Sequence, residues 1–414
     1  MMTDIAAARA VLAANDRGGY TVPTARLYPF QWNWDSAFVA MGWARFDAAR
    51  AWREIERLLE GQWADGRIPH IIFHAPAETY FPGPDVWGTR HTPPTSGIVQ
   101  PPVLASAVRR VLAADPDRSR ARTRAAAVIP ALVRNHRWWH AARDPDASGL
   151  VAILHPWESG MDNSPAWDSA LARVPTTTTT TIVRRDTGHV DPSMRPRTED
   201  YQRFIHLVDT YRATGWDATR MYAAAPFRVA DVATNAILLR AERDLLALAE
   251  SEAPGECAVI ATRIARMAKA LGAQWSAARG VFLSRDLIAD VPLDVAVSAG
   301  FLPLWAGVGD AANLAATLAR WLTRARYAVP STDPAEPGFE PLRYWRGPVW
   351  AIVNWMIAEG FAAAGQTASA ERIRNDTRAL IGEAGFAEYF DPLTGQGAGG
   401  DSFSWTAAIA LLLG

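Results

Sequence analysis

The sequence predicts an all-α fold, specifically an (α/α)6 barrel, from three observations. About twelve apolar-periodic segments of roughly 10–25 residues succeed one another in pairs, many rich in Ala, and no series of alternating or β-branched segments reads as strands. Loops carrying aromatic and acidic residues recur at about every second helix. No sharp repeat and no Gly/Ser or charged linker divides the 414 residues. A superhelix of helix pairs satisfies the first observation. A closed double ring of six inner and six outer helices satisfies the second as well, because it gathers the loops at one end around the axis. The expectation is one domain over 1–414, with loop insertions at about 75–95 and 176–195.

Residues 4–14 read as a helix with Thr3 as its N-cap. Residues 17–34 hold Gly, Pro and aromatics and read as loop, and a helical run opens at Asp35 and continues through Leu59. Asp65 to His70 is a turn, and residues 75–99 form a long Pro- and Gly-rich connection with Tyr80, Trp87 and His91. Loops of that length are functional or disordered, and the aromatics argue against disorder. Helices follow at about 100–114 and 119–142, with another beginning near Pro165. The β-branched run Thr176 to Thr181 reads as an extended loop or short strand serving as a spacer. Further helices are expected at 199–213, 226–250, 254–278, 297–307, 309–325, 347–364, 367–384 and 403–413.

Composition excludes several classes. The chain is 49% hydrophobic and 21% charged with a formal net charge of -1, so no global field attracts nucleic acid or an anionic membrane. The start lacks a basic region followed by an apolar core, and no apolar run approaches a membrane span. A cytoplasmic protein acting on a small molecule is expected, with homo-oligomerisation left open. The lone Cys257 excludes an intrachain disulfide and is expected to pack in the core. The unusual number is 18 Trp, many beside Asp, Arg or Gly, and flat aromatic faces next to polar groups suit the C–H faces and hydroxyl rims of sugars.

Neither a metal nor a cofactor is expected. His70 and His74, and likewise His136 and His140, are four apart, but no third ligand pattern stands near either pair. There is no phosphate-binding Gly loop and no Gly-x-Ser-x-Gly elbow, and the Gly run 395–400 follows a loop rather than a strand. Carboxylates beside aromatics remain: Asp35, Asp85, Glu158, Asp162, Asp168, Glu340, Glu388, Asp391 and Asp401. Glycoside hydrolysis needs two carboxyl groups of opposite protonation, and an acid among aromatics keeps its proton through desolvation. Asp162, in the loop His155 to Asp168, and Glu388 occupy the two richest loops and could face each other across a barrel mouth.

Four segments, in order, carry a resemblance. They are Tyr28 to Phe38, Trp157 to Asp168, Tyr344-Trp345-Arg346-Gly347-Pro348-Val349-Trp350, and Glu388-Tyr389-Phe390-Asp391 with Gly395-Gln396-Gly397 and Phe403 to Ala408. Together they resemble family 63 of the glycoside hydrolases, nearest within it to the compact bacterial mannosylglycerate and glucosylglycerate hydrolases, and more distantly family 37 trehalases. The resemblance implies an (α/α)6 barrel and an inverting α-glycosidase that cleaves 2-O-α-mannosyl- or 2-O-α-glucosyl-D-glycerate. A family 63 α-glucosidase acting on neutral glycosides is the alternative. The family's acid maps to Asp162 and its base to Glu388, with sugar contacts on Tyr28, Trp32, Trp34, Asp35, Gln100, Tyr344, Trp345 and Trp350. An Arg with a Tyr six residues later holds the glycerate carboxylate in that family; Arg195 and Tyr201 stand at that spacing, with Arg197 as a rival and an Arg195–Glu199 surface ion pair as the plain reading. Closing loops at 75–95 and 176–195 would bring Tyr80 to the substrate.

Overall fold

The computed structural model describes residues 4–25, 27–76, 78–188 and 190–414. Six inner helices, Asn33–Trp43, Leu104–Ala114, Val232–Glu252, Ser298–Leu304, Ala351–Ala363 and Ser404–Leu413, each pack on the next, and the last packs back on the first. That closed circuit is the barrel. Six outer helices, Ile5–Asn15, Ala48–Leu59, Arg118–Arg143, Cys257–Gly272, Ala311–Trp321 and Thr367–Ala384, cover it. Thr198–Ala213 and Ala218–Ala224 lie outside this pairing.

The sequence explains the two rings. Asn33–Trp43 buries every residue and Ala351–Ala363 nearly every one, as a helix apolar all round must. Ala48–Leu59 instead buries Ala51, Trp52, Ile55 and Leu58 on one stripe and leaves Arg53 outside. Small residues let the inner ring close: a Cβ on Gly42 would stand 2.7 Å from that of Ala408. Among the described residues no helix is long and apolar enough to cross a membrane.

Several elements differ from expectation. The run from Asp35 to Leu59 is two helices, because Asp47 leaves helical geometry and its side chain accepts from the Arg50 amide to start the second. Thr3 lies outside the described residues; Asp4 caps the first helix through the Ala7 amide. The segment near Pro165 makes only a 3-10 turn and one short helical turn to Leu171, and 297–307 is a 3-10 helix, Ser298–Leu304. Gln100 to Val103, with two prolines, is not helical, and helix Val232–Glu252 begins after the bridge at Val229–Ala230. Cys257 is half-buried at the start of its helix, against the core rather than within it. The threonine run forms no strand; Asp209 of Thr198–Ala213 accepts from the amides of Thr179 (2.6 Å) and Thr180 (3.0 Å) and pins it.

Candidate active site

The chain leading into the N-termini of four inner helices supplies one wall each of a cavity of about 810 Å³, its mouth included. Eleven of the expected residues line it: Tyr28, Trp32, Trp34, Asp35, Tyr80, Gln100, Asp162, Arg195, Tyr201, Tyr344 and Glu388. Trp345 and Trp350 do not. They stack on each other with centroids 3.7 Å apart and planes 2° from parallel, behind the lining residues Trp34, Tyr344 and Trp405.

Buried polar groups behind the wall hold each piece. Glu54 is fully buried; it accepts from Thr21 (2.8 Å), Gln31 (3.1 Å), Ser36 (2.6 Å) and Arg50 (2.9 Å). Gln31 and Ser36 flank Trp32 to Asp35, so this carboxylate sets the first wall. Gln31 also pairs with Ile72 in a two-stranded ladder and meets His74 at 2.7 Å. Gln100 accepts from the Trp34 amide at 3.2 Å. Glu158, also fully buried, accepts from Arg143 (2.6 Å) and from the amides of Leu154 (2.7 Å) and Val99 (3.4 Å), tying the Asp162 loop to the Gln100 segment.

Glycine is obligatory at two places in these walls. Gly160 has φ +67°, and a Cβ there would come within 2.6 Å of the Trp34 ring. Gly399 has φ +77°, and its Cβ would strike a Glu388 carboxylate oxygen at 2.3 Å.

The carboxylates differ in their surroundings. Asp162 receives no side-chain or neighbouring-amide hydrogen bond among the described residues. Burial pushes its pKa up to about 7, with Arg195 opposing and Glu388 adding to the rise. Glu388 is fully buried and also raised by burial, but Arg195, the Gly400 amide (2.9 Å) and the Tyr28 hydroxyl (3.2 Å) favour its ionised form. Asp35, 4% exposed, lies well above the usual carboxylate range because of burial and the charges of Glu388 and Asp162. His70 is held neutral by burial. Of Asp162 and Glu388 only the latter is given donors by other residues among the described ones, the kind of difference in surroundings that separates a base from an acid.

Arg195 is 5% exposed and enters the cavity. Its Nη2 donates to Tyr28 Oη at 2.9 Å, its Nε reaches Asp186 at 3.4 Å, and it lies over the Tyr344 ring at 4.2 Å. Its Nη1 is buried and has no hydrogen-bond partner among the described residues. Burial works against its charge, but Tyr28, Tyr344, Glu388 and Asp186 outweigh it. The surface pair with Glu199, the plain alternative, is not formed; Glu199 binds Arg203 at 2.6 Å. Arg197, the rival, is 60% exposed and pairs with Glu340 at 3.2 Å.

Sequence reasoning missed His70, Phe81, Trp157, Arg185, Asp186, Phe403 and Trp405 as lining residues. Trp157, Phe403 and Trp405 stood inside the motifs quoted above, whereas Arg185 and Asp186 lie in the 176–195 loop expected to close over the substrate, with no motif to single them out. The His pairs part company: His70 faces the cavity, and His74 packs against Tyr20 at 4.2 Å. His136 and His140 flank the buried Glu242 at 3.3 and 2.9 Å, with Arg263 at 3.0 Å. No group of three metal-ligating side chains stands together in ligating geometry among the described residues.

The Mannosylglycerate hydrolase MGH1-like glycoside hydrolase domain matches residues 28–406. A mannosylglycerate hydrolase of Thermus thermophilus is 53% identical, covering 97% of this chain and 98% of its own. A glucosylglycerate hydrolase of Mycolicibacterium hassiacum is 36% identical, covering 99% and 97%. The crystal structure of the family 63 mannosylglycerate hydrolase from Thermus thermophilus in complex with Tris and D-glycerate matches with a TM-score of 0.95 at 52% identity over 98% of each chain. Neutral trehalase of Saccharomyces cerevisiae, at 17% identity and a TM-score of 0.60 over 95% of this chain and 72% of its own, shares the fold alone. The chain therefore belongs to the MGH1-like glycoside hydrolases of family 63 and is a glycosidase built on a closed double ring of helices.

Proposed function

We propose that this enzyme hydrolyses 2-O-α-mannosyl- or 2-O-α-glucosyl-D-glycerate with inversion, releasing hexose and glycerate. The observation that carries the reading is a buried guanidinium, Arg195, with a nitrogen unpartnered among the described residues, in the same cavity as two carboxyls of unlike surroundings. A planar fork of N–H donors matches a small carboxylate. The D-glycerate bound in the structure of the Thermus relative and the substrates in the relatives' names support it.

In this mechanism Asp162 donates its proton to the glycosidic oxygen as the C1–O bond breaks. Water attacks C1 from the opposite face while Glu388 takes one of its protons. The hexose leaves as the β anomer, and Asp162 regains its proton from solvent as Glu388 loses one. Tyr28, Trp32, Trp34, Asp35, Gln100 and Tyr344 hold the sugar, with Trp345 and Trp350 bracing that wall; Arg195 and Tyr201 hold the glycerate. The whole chain acts as one catalytic domain in a reducing cytoplasm. Its loops at about 75–95 and 176–195 close over the substrate and bring Tyr80 to it. In support, Arg212 donates to both loops, to the Val86 carbonyl at 2.6 Å and to the Thr180 hydroxyl at 3.2 Å.

The test is a panel of mannosylglycerate, glucosylglycerate and the neutral glucosylglycerol, with released hexose measured. Turnover of at least one acid in preference to the neutral compound is expected. A preference for the neutral compound would overturn the glycerate assignment in favour of an α-glucosidase.

A further inference from the structure

Asp186 is the carboxylate of the cavity that the proposed reaction does not use. It lines the same space as Arg195 and Arg185, and its side chain is 14% exposed. Arg184 grips both of its oxygens, Nε to Oδ1 and Nη2 to Oδ2, each at 2.7 Å, and Arg195 Nε reaches Oδ2 at 3.4 Å. Arg184 is itself held in place. It lies over the Tyr201 ring at 4.3 Å, and its Nη2 also donates to the Pro196 carbonyl at 3.2 Å. Two guanidiniums, Arg184 and Arg195, thus meet on the one carboxylate at the end of the cavity assigned to the aglycone, and Arg185 lines the same cavity.

Guanidiniums brought together in this way are the chemistry of a phosphate site, since a phosphate offers three oxygens and close to two negative charges. Asp186 changes that chemistry. It takes up the Arg184 fork and one edge of Arg195, leaving Arg195 Nη1 as a buried donor without a partner among the described residues. It also places a fixed negative charge beside the spot where a second anionic group would lie, and like-charge contact is an effective means of rejecting a wrong ligand. One carboxylate can be accommodated by the remaining Arg195 edge, whereas a dianion meets Asp186 and finds Arg184 taken.

We infer that Asp186 is the specificity-determining residue for aglycone charge: it admits a single carboxylate and turns away a phosphate-bearing aglycone. The inference rests on the glycosylglycerate reading above, which it deepens.

The experiment compares glycosylglycerate with the same compound carrying a phosphate ester on its free glycerate hydroxyl. Wild type should favour the unphosphorylated acid, and Asp186→Asn should lower that ratio of kcat/KM by at least about tenfold, the scale of a removed like-charge contact. Asp186→Glu, which keeps the charge, should retain the preference. Arg184→Gln, which removes a guanidinium and frees the Asp186 charge, should raise the ratio, and it keeps the test open if Asp186→Asn does not fold. Binding provides a second readout: inorganic phosphate should raise the melting temperature of Asp186→Asn but not of wild type. Equal losses of Asp186→Asn on both substrates, with no phosphate response, would overturn the inference. If wild type acts on neither acid, the functional reading has failed instead, and the phosphate arm still decides the role of Asp186.

Discussion

Arg195 and Glu388 share one hydroxyl. Tyr28 Oη accepts from Arg195 Nη2 at 2.9 Å and donates to Glu388 Oε1 at 3.2 Å. The group assigned to the acid end of the substrate is thereby wired to the group assigned as base. Its positive charge opposes the rise that burial imposes on Glu388 and on Asp162.

Loss of Arg195 should therefore show in two places. A charge-assisted hydrogen bond contributes roughly 1.5–3 kcal/mol. Arg195→Ala should thus cost the acid substrate about 10–150-fold in kcat/KM beyond any loss on the neutral glucosylglycerol. The low-pH limb should also move upward on both substrates, because Glu388 loses the cation that favours its ionised form. Equal losses on acid and neutral substrates would make Arg195 structural.

Asp162→Asn and Glu388→Gln keep shape and abolish proton transfer. Each should lower kcat on the order of 10²–10⁴-fold. Proton NMR of the first-formed sugar from wild type should show the β anomer; the α anomer appearing first would mean retention, with Glu388 a nucleophile.

The pH profile of kcat/KM should be a bell. Activity needs Asp162 protonated and Glu388 ionised. It falls as pH rises through the Asp162 pKa of about 7, and falls again as pH drops through that of Glu388, which burial places above its ordinary 4.5. A basic limb that starts only above pH 9 would contradict the acid assignment.

Stability should follow the same group. Asp162 has an ordinary pKa of 3.8 and a folded value of about 7. Below the ordinary value it is neutral in both states; above the folded value the native protein carries a desolvated carboxylate, so stability declines as pH rises between the two. Asp162→Asn should accordingly melt higher than wild type at pH 8, with the gap closing towards pH 4. Calorimetry at the two pH values checks this, and a gap that widens on acidification would reverse the sign.

Gly399→Ala should be an activity lesion in a folded protein. Its Cβ would stand 2.3 Å from Glu388 Oε2 and 2.7 Å from the Tyr389 ring, at φ +77°. Displacing the base by about 1 Å can cost on the order of 10²-fold in turnover. Circular dichroism should remain that of wild type while kcat drops.

Much of this protein is determined by sequence pattern alone. Apolar periodicity without strand alternation specifies paired helices, and Trp, Gly, Pro and Asp crowded between them specify loops, so the segments around Asp35, Asp162, Tyr344 and Glu388 stand out before any coordinate is known. The resemblance through those segments led to the family that the comparisons then showed. Local pattern says nothing about which side chains meet across the ring. Closure of six inner helices brings residues as distant as Tyr28 and Glu388 into hydrogen-bond contact, and only that closure decides which of two nearby arginines is buried. It also turns Trp345 and Trp350 into a stack behind the cavity wall, separates His70 from His74, and sets Asp186 between two guanidiniums, those of Arg184 and Arg195. Burial and long-range contact are properties of the assembled ring, whereas periodicity and turn chemistry belong to a few neighbouring residues; each kind of information reached as far as the forces that carry it.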